Sequence, residues 1–450
     1  MAGLSLPDWV HQRARLTPDR LALVHGAQVA WTFKELDERV ARVAGGLRRL
    51  GVQAGERTAV RMPNGWPFVV AVHALARLGA VVVPINTRLT RAEIDWQLRD
   101  VGARHVLDEW MLVEDAPVPP REVELDEPHS IIYTSGTTGR PKGAILTFGN
   151  HWWSAIGSAL NLGLRPEDRW LACLPLFHVG GLAILLRSVI YGMGVVVQER
   201  FDAQHVNRAI DAQGVTIVSV VSTMLDRMLA ERGPRPYPPS LRCLLLGGGP
   251  APHALLEAAA RLGAPVVQTY GLTEAASQVA TLAPEDALRK LGSAGKPLFP
   301  TQIKIEQDEI LVRGPTVSPG YVGAPRRDEW LRTGDLGYLD EEGFLYVLDS
   351  RDDLVVSGGE NVYPAEVEAA LLAHPAVLEA GVYGLPDPEW GQVVVAVVRL
   401  DDRHPVAPAE LAAFCRARLA GYKVPTHVRF VEALPRNAAG KLLRRELRVQ

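Results

Sequence analysis

The sequence has only three cysteines among its 450 residues, Cys173, Cys243 and Cys415, and they stand far apart. This spacing gives neither a disulfide framework nor a cysteine zinc site, so we expect buried thiols in a reducing compartment and a cytoplasmic protein. No apolar run approaches the roughly 20 residues that span a membrane, and the N-terminal residues lack the charged-then-apolar layout of a signal peptide. The net charge of −3 is too small to favour nucleic acid or an anionic membrane as a partner.

Lysine is also scarce, with seven among 48 basic residues. Arginine therefore serves wherever a bare positive charge suffices, and a lysine inside a motif carries more information than usual. The two cations are not equivalent, because an ammonium is a compact point donor and a guanidinium is a planar fork. Two of the seven lysines, Lys142 and Lys441, fall inside glycine-containing motifs.

Helical and extended segments alternate through most of the chain. Residues 31–51 predict an amphipathic helix that begins with a capping box of Thr32 and Glu35. Short continuous apolar runs predict strands buried on both faces, as in a parallel α/β sheet covered by helices; examples are AVVVPI, SIIYTSG, VTIVSVV, LRCLLLGGG and PVVQTYG. Several of these strands end in glycine-rich or polar turns, and open α/β sheets bind their ligands at the carboxyl ends of strands.

After about residue 300 the pattern changes to antiparallel strands with polar turns, as in IKIEQDEILVRG and GYLDEEGFLYVLD. A helix is predicted from Pro364 to His374, because Pro suits a first turn and Pro375 follows its end. The predicted fold class is α/β. It has a large N-terminal domain of layered α/β sheets plus a small β-rich part (1–349), a hinge (350–353) and a small C-terminal α+β domain (354–450).

The segment SIIYTSGTTGRPKGAIL (130–146) has the composition of a phosphate-binding loop. A strand that ends in Ser and Gly can turn successive backbone amides toward one point, where threonine hydroxyls and Lys142 add donors and charge. The Walker A spacing does not fit, because the glycines flanking the lysine stand at Gly136, Gly139 and Gly143. By itself, the loop is equally compatible with a solvent-exposed Gly-Thr turn.

Four further motifs follow in order: QTYGLTEAA (268–276), LRTGDLGYLD (331–340), SRDDLVVSGGENVYPAEVE (350–368) and LPRNAAGKLLRREL (434–447). Together with the loop, this series resembles the adenylate-forming superfamily of acyl-CoA synthetases, carrier-protein adenylation domains and luciferases, over essentially the whole chain. The resemblance implies two steps. A carboxylate attacks the α-phosphate of ATP, giving acyl-adenylate and pyrophosphate; a thiol, usually that of coenzyme A, then attacks the acyl carbon. It also implies that the C-terminal domain is mobile and rotates between the steps.

The same resemblance implies roles in nucleotide binding. The loop is expected to hold the β- and γ-phosphates, Tyr270 to lie against adenine, Asp335 to bind the ribose, and Thr273 to reach the α-phosphate as a catalytic group. Glu274 is the expected ligand of Mg²⁺, a hard cation that prefers oxygen. The other implied ATP-binding residues are Thr134, Ser135, Gly136, Thr137, Thr138, Gly139, Lys142, Gly247, Gly248, Gly249, Gly271 and Arg351. Each motif alone has a plainer interpretation, such as a turn or a solvent-exposed acid.

Lys441 matches the catalytic lysine of the adenylation step, which neutralises charge where carboxylate meets phosphate. Its basic neighbours also fit a surface lysine, an interpretation that the scarcity of lysine weakens. Asp353 matches the hinge position, where a few residues absorb the rotation. Ser357, Gly358 and Gly359 are expected to face coenzyme A after the rotation, because their small size lets the pantetheine arm pass close to the backbone.

The segment 174–194 is expected to line the acid pocket. His178 matches an aromatic or histidine gate near the reacting carboxylate, and the absence of an aspartate there argues against an amino-acid substrate. Within the superfamily the motifs most resemble the o-succinylbenzoate–CoA ligases of menaquinone synthesis, whose substrate carries a second carboxylate that needs a cation or several donors. Arg187, Ser277 and Gly249 are the further candidates for acid binding. The plainer interpretation of Arg187 is that it snorkels to solvent or pairs with an acid.

Three alternatives remain open at this stage. A fatty-acyl or aryl-acid CoA ligase of broader specificity shares every motif. A non-catalytic acyl- or nucleotide-binding protein is disfavoured because Lys441, Glu274 and Asp335 are all present, and the loop spacing disfavours a P-loop kinase or ATPase. The expected ligands are ATP, Mg²⁺, coenzyme A and a small carboxylic acid, and a homodimer is expected by analogy with relatives.

Overall fold

The structure is a computed structural model. It describes residues 3–26, 29–134, 141–249, 251–326, 328–350, 353–357, 360–387, 390–401, 403–419, 421–437, 440 and 442–448. The helices are α1 (Trp9–Leu16), α2 (Phe33–Arg49), α3 (Trp66–Leu78), α4 (Arg91–Val101), α5 (Phe148–Leu162), α6 (Val179–Tyr191), α7 (Ala203–Ala212), α8 (Ser222–Arg232), α9 (His253–Arg261), α10 (Pro364–Leu372), α11 (Pro408–Arg416) and α12 (Arg444–Leu447).

The strands are numbered in chain order. Up to residue 281 they are β1 (Ser5–Pro7), β2 (Leu21–His25), β3 (Val29–Thr32), β4 (Arg57–Val60), β5 (Val81–Pro84), β6 (His105–Leu107), β7 (Glu122–Glu124), β8 (Pro128–Thr134), β9 (Lys142–Thr147), β10 (Arg169–Ala172), β11 (Gly194–Val197), β12 (Ile217–Val220), β13 (Cys243–Leu246), β14 (Val266–Leu272) and β15 (Ser277–Thr281). The later strands are β16 (Lys296–Pro297), β17 (Gln302–Glu306), β18 (Glu309–Arg313), β19 (Gly320–Tyr321), β20 (Ala324–Pro325), β21 (Leu331–Leu339), β22 (Leu345–Ser350), β23 (Val355–Ser357), β24 (Glu360–Val362), β25 (Val377–Asp387), β26 (Gly391–Leu400) and β27 (His427–Phe430).

Two large sheets with parallel centres form the bulk of the N-terminal part. One has the order β16-β15-β14-β13-β12-β10-β11-β2-β3, and the other has the order β20-β19-β9-β8-β5-β4-β6. Strands β5, β11, β12 and β13 are buried at every residue, because helices or the partner sheet cover both faces of a parallel sheet. The expectation of doubly buried strands is confirmed.

The largest hydrophobic cluster lies between these two sheets and includes Trp170 and Val195 of one sheet and Val60 and Val82 of the other. Helix α2 contributes to it one apolar face, and its capping box of Thr32 and Glu35 is present as predicted. The three cysteines are free and buried, as expected.

Two smaller sheets follow. Strands β17, β18, β21 and β22 form an antiparallel sheet, as the alternating pattern predicts. Strands β23 to β27 form a separate sheet with its own hydrophobic cluster, which α10 and α11 help to fill. Helix α10 begins at Pro364 as predicted but ends at Leu372, not at His374. The two residues that follow form a tight turn, because Pro375 disfavours helical backbone at His374.

Candidate functional site

The site lies at the carboxyl ends of neighbouring strands. Strands β10, β12, β13 and β14 run parallel and adjacent, so the segments that follow them meet at one edge of the sheet. Each strand is followed by a candidate segment: β10 by the segment that contains His178, β12 by Val221, β13 by Gly247–Gly249, and β14 by Thr273. The sequence motifs therefore converge on one place through the sheet order.

The predicted phosphate loop connects two antiparallel strands, β8 and β9. Thr134 ends β8 and pairs with Lys142, which begins β9. Residues 135–139 of the prediction lie outside the described residues, so the structure locates only the base of the loop. That base faces Glu274, since Thr134 Oγ1 lies 3.4 Å from Glu274 Oε1.

Glu274 stands in a single 3₁₀ turn, Thr273–Ala275, directly after β14. Tyr321 donates its phenolic hydrogen to Glu274 Oε1 at 2.8 Å. The ring of Tyr321 also lies 5.7 Å from Lys142 Nζ. Sequence reasoning missed Tyr321, because it is 47 positions from Glu274 and joins it only through the pairing of β19 with β9.

The adenine and ribose candidates are in direct contact. Tyr270 is buried and donates to Asp335 Oδ2 at 2.7 Å. Burial and the nearby Asp335 carboxylate raise the pKa of Tyr270 well above its usual value, so the phenol stays protonated. The turn that carries Asp335 is braced, because Thr333 Oγ1 accepts from the Asp335 amide and Glu309 accepts from the Gly334 amide. Gly271 begins a register shift in the same strand as Tyr270.

The glycine turn after β13 is in close contact with the segment after β12. Gly248 has a φ of +82°, and a Cβ placed there would lie 3.0 Å from Val221 Cγ1. A side chain at this position would be both strained and crowded. At Gly247 a side chain would be crowded only, because an added Cβ would lie 2.9 Å from Thr269 Cγ2, whereas an added Cβ at Gly249 would face open space.

The C-terminal unit approaches the segment after β12 through Gly440. A Cβ built on Gly440 would lie 3.2 Å from Val221 Cγ2 and 3.4 Å from Thr223 Oγ1. Val221 therefore lies between Gly248 and Gly440. Lys441 is outside the described residues, but its immediate neighbour in the chain, Gly440, lies against Val221.

His178 caps the N-terminal end of α6 without a side-chain hydrogen bond. Its Nε2 is buried and has no partner among the described residues. Burial, helped by Arg88, lowers the pKa of His178 to about 4, so the ring is neutral at pH 7. A neutral imidazole can donate one hydrogen bond to a carboxylate without neutralising its charge.

Arg187 lies in α6 nine residues after His178 and is 2% exposed, which excludes snorkelling to solvent. Its Nη2 donates to Ser154 Oγ at 3.1 Å, and its guanidinium lies over the Trp170 ring. Its Nε has no hydrogen-bond partner among the residues that the structure describes, and none of their carboxylates pairs with it. Burial lowers the pKa of Arg187, and a buried cation of this kind requires an anionic partner to offset its desolvation.

Ser154 connects Arg187 to the other acid-pocket candidate. The Ser154 hydroxyl donates to the carbonyl of Ala276 at 2.6 Å, directly before Ser277. Ala276 and Ser277 both have positive φ values, 53° and 98°, a strained backbone that is typical of functional turns. Sequence reasoning found Arg187 and Ser277 but not Ser154, which lies in the unremarkable helix α5.

The hinge candidate Asp353 accepts from Arg444 Nη1 at 3.1 Å. Arg444 also forms a two-point pair with Glu368 at 3.0 and 2.8 Å. Ser357 is buried within β23, where it pairs with β24 and β26. Arg351, Gly358 and Gly359 lie outside the described residues, so the coenzyme A prediction is untested there.

The described residues fit a magnesium ion at Glu274. The two hydroxyl donors, Tyr321 and Thr134, both approach Oε1, and Oε2 has no hydrogen-bond partner among the described residues. A carboxylate oxygen of this kind is a suitable ligand for a hard cation that also binds nucleotide phosphates. Within the described part of the chain, no helix is long and apolar enough to cross a membrane.

Comparisons with known proteins agree with this geometry. The chain matches the AMP-binding enzyme family over residues 10–322 and the AMP-binding enzyme C-terminal domain over residues 366–441. It is 51% identical over 479 residues to the 2-succinylbenzoate–CoA ligase of Geobacillus sp. (strain WCH70), covering 99% of this chain and 97% of that relative.

The o-succinylbenzoate CoA synthetase from Bacillus subtilis is similar in structure. Its complex with the acyl-adenylate intermediate OSB-AMP is 46% identical, with a TM-score of 0.93 over 99% of this chain and 98% of that chain. Its complex with ATP and magnesium ion has a TM-score of 0.92 and covers 99% of this chain and 100% of that chain. A double mutant of it, bound with the product analogue OSB-NCoA, has a TM-score of 0.75 and covers 99% of this chain and 98% of that chain.

The matched region covers well over half of the chain. Three of the motifs that carry the sequence resemblance are joined by direct contacts, Thr134 to Glu274 and Tyr270 to Asp335. The predicted α/β fold class and the predicted resemblance are both confirmed. The chain belongs to the AMP-binding enzyme family.

Proposed function

We propose that this protein is an ATP-dependent o-succinylbenzoate–CoA ligase of menaquinone synthesis, which forms an acyl-adenylate, releases pyrophosphate, and then releases AMP as the thioester forms. The observation that carries the choice of acid is Arg187, a guanidinium that is 2% exposed and without a carboxylate partner among the described residues. An acid with a second carboxylate supplies the missing anion. The relatives named above support the same choice.

In the adenylation step, ATP lies across the ends of β13 and β14. Tyr270 and Asp335 bind adenine and ribose, Thr273 reaches the α-phosphate, and the hairpin base at Thr134 and Lys142 positions the loop that holds the departing pyrophosphate. A magnesium ion bound at Glu274 supplies positive charge to the phosphates. His178, neutral at pH 7 because its pKa is about 4, orients the attacking carboxylate by donating a hydrogen bond.

Lys441 supplies the charge that the α-phosphate needs as the carboxylate attacks it. Gly440 lies against Val221 beside the glycine turn, and this contact supports a C-terminal domain orientation suited to adenylation. The similarity to the adenylate complex, with a TM-score of 0.93, exceeds that to the product-analogue complex, with 0.75. We propose domain boundaries of 1–349 and 354–450, with a rotation about 350–353 that brings Ser357 and the adjacent glycines to coenzyme A.

The test is a pyrophosphate-release assay with ATP, Mg²⁺, coenzyme A and a panel of acids. The panel contains o-succinylbenzoate, benzoates, medium- and long-chain fatty acids, and an analogue of o-succinylbenzoate in which hydrogen replaces the unreacted carboxylate. We expect o-succinylbenzoate to give the highest kcat/KM. Fatty acids as the best substrates would favour the broader acyl-CoA ligase, and orthophosphate in place of pyrophosphate would exclude ligase chemistry.

The Arg187→Ala variant tests the role of the guanidinium in the same assay. We expect kcat/KM for o-succinylbenzoate to fall about 100-fold, as for the loss of a charge-assisted pair, and kcat/KM for the monocarboxylate analogue to change less than about 3-fold. Arg232→Ala is the matched control, because Arg232 is equally buried but is paired with Asp211. It should lower stability without changing the preference between the two acids; equal losses on both acids in Arg187→Ala would reject the assignment.

We also propose that the protein is a homodimer, by analogy with relatives. We propose a cytoplasmic location because its three cysteines are free and buried. Light scattering coupled to size-exclusion chromatography distinguishes a dimer of the 49.0 kDa chain from a monomer.

A further inference from the structure

Tyr321 occupies a position that the proposed function does not yet explain. Its hydroxyl donates to Glu274 Oε1 at 2.8 Å. An ionised carboxylate only accepts hydrogen bonds, so the phenol is the donor in this contact.

The segment around Tyr321 holds Glu274 at two points. Besides the phenol contact, the amide of Ser318 donates to the backbone carbonyl of Glu274 at 2.8 Å. The same segment is fixed to β9, because Val322 donates to the carbonyl of Gly143 and Ser318 Oγ donates to that of Ile145. Main chain and side chain of Glu274 are thus both tied to the strand that begins at the phosphate loop.

The two oxygens of the Glu274 carboxylate have different surroundings. Thr134 and Tyr321 both lie on Oε1, whereas Oε2 has no hydrogen-bond partner among the described residues. A carboxylate fixed by one oxygen has lost the freedom to rotate, so less entropy is lost when the other oxygen binds a cation. Outer-sphere donors that orient a metal ligand in this way typically change metal affinity 10- to 100-fold.

We propose that Tyr321 is a positioning residue for magnesium: it fixes the Glu274 carboxylate through Oε1, so that Oε2 is presented to the ion that accompanies ATP. The inference rests on the proposed function, because it assumes that Glu274 binds the metal. In this proposal Tyr321 acts through Glu274, and its ring also lies 5.7 Å from the Lys142 ammonium.

The experiment measures binding in the absence of any carboxylic acid, so it does not depend on turnover. MgCl₂ is titrated into the full-length protein with ATP, and the magnesium affinity is measured by isothermal titration calorimetry for wild type and for Tyr321→Phe. We expect about a 10-fold weaker magnesium affinity in the variant, with unchanged affinity for ATP in EDTA and an unchanged melting temperature, because the phenyl ring keeps its packing.

Tyr133→Phe is the matched control. Tyr133 lies in β8, which β9 separates from the strand of Tyr321, and it also donates to a carboxylate, Asp100 Oδ2, at 2.6 Å, but it makes no hydrogen bond to Glu274 among the described residues. We expect its magnesium affinity to equal that of wild type. Wild-type affinity in Tyr321→Phe, or an equal loss in Tyr133→Phe, would overturn the proposal.

A double-mutant cycle separates positioning from a general structural effect. In a Glu274→Gln background, Tyr321→Phe should cost no further magnesium affinity, because the carboxylate that it positions is gone. A full additional 10-fold loss there would reject the proposal. If wild type binds Mg–ATP but activates no acid of the panel, the proposed function fails while the role of Tyr321 is still tested.

Discussion

Single residues in this protein are informative mainly through what surrounds them. Arg187 is an ordinary helical arginine in the sequence, and its alternatives, snorkelling or an internal ion pair, cannot be separated there. The structure excludes the first by burial and finds no carboxylate partner for the second among the described residues. Arg77 shows the contrast: it is equally buried but pairs with Asp8 and Asp37 at 2.7 and 2.5 Å, so its desolvation is offset within the protein.

Lys441→Ala gives a prediction at the residue scale. We expect adenylate formation to slow about 10²- to 10³-fold, as for the loss of one preorganised charge donor, and thioester formation from pre-made adenylate to be unaffected. The two half-reactions are measured separately by pyrophosphate release and by thioester formation. Lys423→Ala is the control, because that lysine lies in the same unit and is paired with Glu366. An equal loss of both half-reactions would contradict the role.

At the scale of elements, the strands and helices were largely predictable because their signals are local. Continuous apolar runs predicted the buried parallel strands, and Thr32 with Glu35 predicted the start of α2. The predicted end of α10 was two residues too late. Helix propensity continues to His374, but Pro375 disfavours helical backbone at the residue before it, so the helix ends earlier. What no local signal shows is which turn meets which, and for that reason the contacts of Val221 were not foreseen.

Gly440→Ala tests the contact between the C-terminal loop and Val221. Gly440 has a φ of +82° and would place its new Cβ 3.2 Å from Val221 Cγ2, so both backbone strain and crowding oppose the observed orientation. We expect at least a 10-fold slower adenylation and unchanged thioester formation from pre-made adenylate. Stopped-flow measurement of pyrophosphate release reports the first step.

Gly343→Ala is the matched control for that variant. Gly343 has the same φ of +82° but no atom within 4 Å of an added Cβ. It should lose stability on the order of 1 kcal/mol from backbone strain and keep both half-reactions. A Gly440→Ala enzyme that behaves like this control would show that the contact with Val221 does not matter for adenylation.

At the scale of the whole molecule, several histidines are buried and uncharged at pH 7. Burial lowers the pKa of His73 to about 4 and that of His151 to about 3, whereas both side chains titrate near pH 6.5 when unfolded. Between pH 6.5 and 4 the unfolded chain therefore binds more protons, and the free energy of unfolding falls as the pH falls. Each histidine should lower the free energy of unfolding by on the order of 3 kcal/mol at pH 4 relative to pH 7.

Urea denaturation at pH 7 and pH 4.5 measures this loss. In His151→Gln we expect the difference between the two pH values to shrink by on the order of 2 to 3 kcal/mol relative to wild type, whatever its effect at pH 7. His427→Gln, at an exposed position, should retain the full difference. A pH dependence that is unchanged in His151→Gln would show that this histidine is not buried in neutral form.

The amino-acid sequence by itself determined the fold class, the positions of most strands and helices, and the set of motifs that predicts adenylate chemistry, because periodicity, capping and turn residues are local properties of the chain. The tertiary structure alone decided how these motifs meet. Sheet order brings the ends of β12, β13 and β14 together, helix packing leaves Arg187 buried without a carboxylate among the described residues, and strand pairing carries Tyr321 to Glu274 across 47 positions. Such contacts depend on pairing between distant segments, and no local pattern encodes them.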